Sequence, residues 1–380
     1  VSDPLRIAIV GAGIGGLAAA ALLRRAGHEV TVYEQAARFA RVGAGIQMAP
    51  NAMKVLRLLG VEERLVRVAF RSESALSRTW DTGEVTSRLP LGREVERRFG
   101  APYLFLHRAD LHAAIGSAVP QGVVRLGMKL RALEQTAREV ALVFEGGARA
   151  TADAVIGADG VHSLVREIIL GAERPRFTGR VAYRATYPAA RLRAPITPVR
   201  TKWWGPDRHM VVYYVTAARD ELYFVTSVPE RADWITPESW SAKGDLAELK
   251  AAYRGFHPEV QAVLDACPEV YKWGLFEREP LPRWSEGRVT LLGDACHPMT
   301  PYMAQGAACA LEDAAVLARC LSGCGGDLPR AFRTYEATRK PRASAIQAGS
   351  SANTWLRGDT DPAWVYGYDA CTAPLEDPEG

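Results

Sequence analysis

Leu5-Arg-Ile-Ala-Ile-Val10, Gly11-Ala-Gly13-Ile-Gly-Gly16 and Leu17-Ala-Ala-Ala-Ala-Leu-Leu-Arg-Arg-Ala26 follow one another near the start of the chain. The first block is a short β-branched apolar run, the second is glycine-rich, and the third has the alanine and leucine content of a buried helix. That order predicts strand, turn, helix. A second strand, Glu29 to Tyr33, closes a compact β-α-β unit and runs into Glu34, with Gln35 beside it. The Gly11-x-Gly13-x-x-Gly16 spacing puts bare glycines where a backbone must approach a pyrophosphate, and the helix start offers free N–H donors to it. Glu34, 18 positions past Gly16, stands where a carboxylate can accept both hydroxyls of an adenosine ribose. The unit reads as dinucleotide-binding, and this motif does not separate FAD from NAD.

Working outward, Pro50 to Leu59 reads as a helix with proline in its first turn and Gly60 as its stop. Val140 to Phe144 alternates as a strand, and Asp153 to Ile156 is another, running into Gly157. The middle of the chain changes character. Val181 to Pro188, Val199 to Trp204, Met210 to Val215 and Leu222 to Val228 are strand-like, with a polar turn at Arg219-Asp220, so a mainly antiparallel sheet is the economical reading. Arg288 to Leu292 returns to an apolar strand, and helices follow near Ala307 to Cys320 and Arg330 to Ala352. The expected class is α/β, in the two-lobed α+β sense. A Rossmann-like dinucleotide-binding lobe takes residues 1–174 and 281–355, a mainly antiparallel sheet lobe takes 175–280, and a tail without clear periodicity takes 356–380.

Composition narrows the function classes. With 48% hydrophobic and 24% charged residues over 380 positions, disorder, collagen and coiled coil are excluded. A net charge of +4, from 47 basic and 43 acidic residues, is too balanced for a nucleic-acid binder and slightly favours small anionic ligands. The apolar run Ile7 to Leu23 is interrupted by glycines and followed by Arg24-Arg25, so neither an export signal nor a membrane span is expected. Six cysteines in the last third form no C-x-x-C pair and read as reduced thiols in a cytoplasmic protein. The seven histidines show no metal-ligand spacing, and no metal is expected.

Two further glycine-and-acid motifs extend the reading. Val289-Thr-Leu-Leu-Gly293-Asp294-Ala-Cys-His-Pro298 ends a strand and leads through Pro301 and Gln305-Gly306 into a helix. An acid at a strand end can bind a second polyol. Gly157-Ala-Asp159-Gly160-Val-His-Ser163, with Arg166, is the third. In this order, and spanning nearly the whole chain, the three motifs resemble the FAD-dependent aromatic hydroxylases, class A flavoprotein monooxygenases of the p-hydroxybenzoate hydroxylase-like fold. The resemblance implies that Asp294 holds the ribityl chain of FAD, that Pro301, Gln305 and Gly306 face the flavin ring, and that Asp159 supports the pyrophosphate region. Arg41 to Ile46 and Leu106-His-Arg108 look like the flavin-contacting loop and arginine-bearing helix start of the salicylate hydroxylase branch. Lys202-Trp-Trp204, Asp207-Arg-His209, Tyr213-Tyr214 and Ala363 to Tyr368 are similar to members of that branch that replace a ring carboxylate by a hydroxyl. Gln47 and Tyr302 stand where those members usually have histidines.

The implied activity is oxygenation of a small hydroxylated aromatic acid by O2 through a flavin C4a-hydroperoxide, with loss of carboxylate. Since no second G-x-G-x-x-G unit exists, NADH or NADPH is expected as a transient reductant, and the enzyme as a monomer or homodimer. His209 and Tyr213, four apart on a strand, project to one face and could reach one ligand. Tyr213 and Tyr302 are candidate hydroxyl donors to the substrate, and Gln47 can hydrogen-bond it but cannot take a proton at neutral pH. Cys296-His297 resembles a nucleophile and base at first sight, yet adjacent residues on a turn rarely serve so. Trp203 and Trp204 could wall an aromatic pocket, although packing is the commoner role of tryptophan in a sheet. Ring hydroxylation with the carboxylate retained is the rival within enzymes, and a flavin-binding regulatory protein is the rival outside them.

Overall fold

The computed structural model describes residues 4–39, 43–231, 242–323, 325–358 and 360–376. The β-α-β unit forms as the sequence dictates, with strand Arg6–Val10, helix Ile14–Arg25 and strand Glu29–Tyr33. It seeds a six-stranded sheet in the order Ser285–Glu286, Val289–Leu291, Ala154–Gly157, Arg6–Val10, Glu29–Tyr33, Val124–Arg125. The neighbours pair in parallel except for the first two strands. Parallel strands are covered on both faces, which is why they read as continuous apolar runs. The first helix buries every residue from Ile14 to Leu23 and packs against the long helix Gly306–Gly323.

The crossing of strand and helix is glycine-dependent. Gly11 holds φ at +104°, and a Cβ on Gly16 would run into the Gly11 carbonyl. Neither position tolerates a side chain without moving backbone.

The second layer is a seven-stranded sheet, ordered Tyr271–Glu277, Arg176–Pro188, Glu221–Pro229, His209–Tyr214, Arg200–Trp204, Ser74–Thr79, Val85–Pro90. It is antiparallel apart from the Arg200–Trp204 and Ser74–Thr79 pair. Two of its strands therefore come from outside residues 175–280, and the chain passes between the layers more often than its composition suggests. Trp203 is fully buried and stacked on His257 at 4.7 Å between ring centres, in the core on one side of this sheet. The segment after 355 is not structureless: Ala363–Tyr366 forms a short helix that buries Val365 and Tyr366. Ser77 and Ser87 hold the Leu356 and Gly358 carbonyls against the sheet. No helix among the described residues is long and apolar enough to cross a membrane.

A fully buried ion cluster joins the helices to the loop after Val289–Leu291. Arg339 Nε lies 2.8 Å from Asp313 Oδ1 and Arg339 Nη2 lies 2.8 Å from Glu312 Oε2. Arg342 and Asn51 add bonds to Glu312 at 2.9 and 2.7 Å. Asp313 Oδ2 accepts from the Gly293 N–H at 3.0 Å and meets His297 Nε2 at 2.5 Å. Burial alone would raise both carboxyls, but the facing charges (Arg339 and Arg342 on Glu312, His297 and Arg339 on Asp313) hold them below their ordinary range. A group depressed on folding contributes stability above its unfolded pKa of about 4 and loses it as pH falls through the folded value. Arg339→Met removes the cation that the two buried carboxylates share, so denaturant unfolding at pH 7 should show a loss of about 3–5 kcal/mol. The gap should narrow in acid, where the native carboxylates are themselves protonated.

Candidate active site

A cavity of about 350 Å³ runs from the first helix to the loop after Gly293. Gly13, Gly15 and Gly16 form its floor at the helix N-terminus, and Asp294, Pro301 and Gly306 line its other end. Gly13 caps the first helix without a side-chain bond, and a Cβ there would meet nothing within 4 Å. The helix start thus presents free donors to open space, the arrangement that receives an anion. Glu34 accepts the Ala12 and Ala36 N–H groups at 2.9 and 2.8 Å, which fixes its carboxylate against the glycine loop. Gln35 beside it is exposed and outside the cavity. Arg41 lies outside the described residues.

The other two motifs brace one another. Asp159 accepts from Ser163 Oγ at 2.5 Å and from the Val165 N–H at 3.1 Å, so its carboxylate is spent shaping its own loop, and burial lifts it above the ordinary range. Arg166 donates to the Val161 and Ala295 carbonyls at 2.7 and 2.9 Å, tying that loop to the one that carries Asp294. Asp294 is exposed to the cavity, and the protein packed around it raises its carboxyl by desolvation. Arg108, at the start of helix Arg108–Ser117, faces the same cavity. Gln305 does not: its side chain is buried and its Oε1 accepts from Asn51 at 2.9 Å. A cavity with a bare helix N-terminus and a carboxylate in its lining suits FAD: Gly13 to Gly16 would receive the pyrophosphate and Asp294 would hold the ribityl chain.

A narrower chamber adjoins this cavity, sharing Gln47, Val225, Pro301 and Ala304 with it. Gln47, His209 and Tyr302 come together in the chamber, whereas Tyr213 lines the larger cavity. His209 and Tyr213 share a strand face but open on different spaces, because Gln47 and Val225 stand at the junction. Gln47 Oε1 accepts from Tyr103 at 2.9 Å. The Tyr302 hydroxyl is bonded to Ser227 Oγ at 2.8 Å, so the ring, more than the hydroxyl, is offered to a ligand. Burial, then the charges of Lys202, Arg180 and Arg200, push His209 well below its ordinary value. Burial pushes the Tyr213 and Tyr302 phenols up. At neutral pH these three are uncharged.

Sequence reading missed the two cations of this chamber. Arg200 and Lys202 are 5% and 1% exposed and both line it, with no Asp or Glu among the lining residues. Arg200 Nε and Nη1 have no hydrogen-bond partner, and burial lowers both groups from their ordinary values. Their i, i+2 spacing in Arg200–Trp204 put them on one face, but alternating charged residues in a strand ordinarily signal the solvent face. Met303, Trp355, Leu356 and Tyr366 close the chamber, so the last segment of the chain completes it. Cys296 is buried with its thiol pushed up, and His297 is committed to Asp313, which leaves no nucleophile and base there. Cys296, His297 and Asp313 lie close enough to share an ion, but Asp313 already serves Arg339 and Gly293.

The model of an FAD binding domain matches residues 5–350. The chain belongs to the FAD-dependent aromatic hydroxylases. It is 49% identical over 97% of both chains to a 6-hydroxynicotinate 3-monooxygenase of Bordetella bronchiseptica. To the enzyme of that name from Pseudomonas fluorescens it is 47% identical, over 100% of this chain and 99% of the other. A 3-amino-4-hydroxybenzoate 2-monooxygenase of Streptomyces cremeus is 38% identical over 97% of each. Among solved structures, a salicylate hydroxylase substrate complex superposes with a TM-score of 0.83 at 26% identity, covering 97% of this chain and 96% of that one. Klebsiella pneumoniae HpxO complexed with FAD and uric acid gives 0.83 at 27%, covering 95% and 90%. As a class A flavin monooxygenase, the hydroxylase uses FAD. Gly13→Leu, which fills the cradle, should leave a folded protein without flavin absorbance, and Asp294→Ala should weaken FAD retention on gel filtration; normal flavin content in both would contradict the placement.

Proposed function

We propose that this hydroxylase oxygenates a small hydroxylated aromatic acid at the expense of NADH or NADPH, with release of the ring carboxylate as carbon dioxide. The observation that carries the reading is the charge of the chamber. The buried Arg200 guanidinium and the buried Lys202 side chain, with no acid beside them, line a space that shares walls with the flavin cavity, and a buried guanidinium with bare N–H donors is costly. An anionic ligand removes that cost. The names of the relatives, a hydroxynicotinate and hydroxybenzoates, denote ring acids of the same kind.

The chain's own residues perform three tasks in this reading. Arg200, beside Tyr103, Tyr213 and Tyr366, holds the carboxylate through a charge-assisted bond. Gln47, held by Tyr103, orients the ring at the mouth of the flavin cavity. Met303, Trp355 and Tyr366 shut out water, which protects reactive oxygen species from decay. FAD, when bound, supplies the electron transfer and oxygen activation. No permanent nicotinamide site is visible in the motifs, so reductant and substrate are expected to act in sequence, the substrate shifting the population of states open to reduction.

NADH oxidation by the purified holoenzyme should be slow alone and faster when a panel of hydroxynicotinates and hydroxybenzoates is added. With carboxyl-labelled substrate, label should leave as carbon dioxide; label retained in the product would replace this reading with simple ring hydroxylation. Equal oxidation with and without every acid would favour a flavin-binding protein without this activity. Arg200→Met should weaken binding of the best acid by about 2–5 kcal/mol, seen as a raised KM with flavin content unchanged.

A further inference from the structure

The ring hydroxyl of such a substrate needs a proton acceptor, since an aryl oxide is far more electron-rich than a phenol whose unperturbed pKa is about 10. Few groups in the chamber or in the adjoining cavity can act. Gln47 has no basic atom. Tyr213 and Tyr302 are phenols held protonated by burial, and the Tyr302 hydroxyl is engaged with Ser227. His209 is a neutral imidazole whose proton affinity is depressed by burial and by the cations around it.

Lys202 is different in position and surroundings. Its Nζ lies 3.7 Å from the centre of the Trp204 ring and 6.0 Å from that of Tyr302, with Asn353 Oδ1 at 3.4 Å. The charged or titratable groups that face it are Arg200 from its own strand, His209 from the paired strand, Arg357 from the segment after the last long helix, and Tyr302. None is an acid. Burial, then Arg200 and Arg357, hold the ammonium well below the ordinary lysine range, and a desolvated lysine of this kind is a recognised general base.

We propose that Lys202 is the general base of this site, its amine taking the proton of the substrate's ring hydroxyl while Arg200 holds the carboxylate. This rests on the aromatic-acid reading above. In the step the hydroxyl O–H bond breaks and a new N–H bond forms on Lys202, giving an aryl oxide beside an ammonium with no change in oxidation state. The ammonium returns its proton to the product oxygen or to water as the product leaves. The two cations thus divide the substrate's two acidic groups, a permanent charge for the group already ionised and a switchable one for the group that must ionise.

The test uses FAD-loaded wild type, Lys202→Met and Lys202→Arg, with 4-hydroxybenzoate and 6-hydroxynicotinate as probes. Wild type should show the aryl-oxide band of 4-hydroxybenzoate in the ultraviolet difference spectrum on binding at neutral pH. Both variants, with flavin content as wild type, should lose that band and about a hundredfold or more in turnover. They should regain turnover as rising pH ionises the free hydroxyl. A wild-type pH profile in Lys202→Met, or wild-type behaviour in Lys202→Arg, which keeps the charge but cannot act as a base, would overturn the proposal. Were both variants to lose flavin, the wild-type spectrum decides alone, and absence of the aryl-oxide band with bound acid would overturn it. Wild type inert toward both acids would instead remove the substrate reading, and the proposal with it.

Discussion

Everything at this site hangs on the contact between Asp313 and its three partners. One carboxylate meets the Arg339 guanidinium, the His297 ring and the Gly293 backbone N–H. The last two belong to the loop that carries Asp294, and Asp313 belongs to the helix whose N-terminus at Gly306 lines the same cavity. A buried ion cluster is weak evidence for stability by itself. Here its value is geometric, because a fully desolvated carboxylate held by three donors has few alternative arrangements. Arg166 repeats the device from the other side by gripping the Ala295 carbonyl. The three glycine-and-acid motifs are therefore one mechanical unit, although they lie far apart in the chain.

The chamber obeys the opposite logic. Where Asp313 is saturated with partners, Arg200 is left with bare Nε and Nη1 atoms and Lys202 with only the Trp204 ring and the Asn353 side-chain carbonyl oxygen beside its Nζ. Such incomplete satisfaction is expected where a ligand supplies what is missing. The surroundings also set protonation: burial first, and then Lys202, Arg180 and Arg200, hold His209 well below its ordinary value, which makes the imidazole a weak base. In this chain Gln47 and Tyr302 shape and seal the pocket, and on the proposal above proton transfer falls to Lys202, whose ammonium form burial disfavours.

The β-α-β unit was legible because glycine spacing and strand length are local signals, and the structure reproduces both strands within a residue. The middle sheet was legible as strands but not as a complete sheet. Ser74–Thr79 and Val85–Pro90 join it across more than a hundred positions, and pairing at that separation leaves no local trace. The sequence presents Tyr302 as a hydroxyl donor to the ligand, yet its bond to Ser227 depends on strand register. Arg200 and Lys202 were passed over for a related reason: charge on an alternating strand means solvent unless something covers that face. What covers it is the stretch from Trp355 to Tyr366, which carries no periodicity to announce its place.

The central claim is that a buried guanidinium with bare donors and a buried lysine with no acid beside it, next to a flavin cavity, define a site for a hydroxylated aromatic acid. A crystal structure of the FAD-loaded enzyme with 4-hydroxybenzoate bound tests it most directly. The account predicts the ribityl chain on Asp294, the carboxylate within hydrogen-bond reach of the Arg200 guanidinium, and the ring oxygen on Lys202 Nζ. An acid bound outside the chamber, or one whose charged groups touch neither Arg200 nor Lys202, would contradict it.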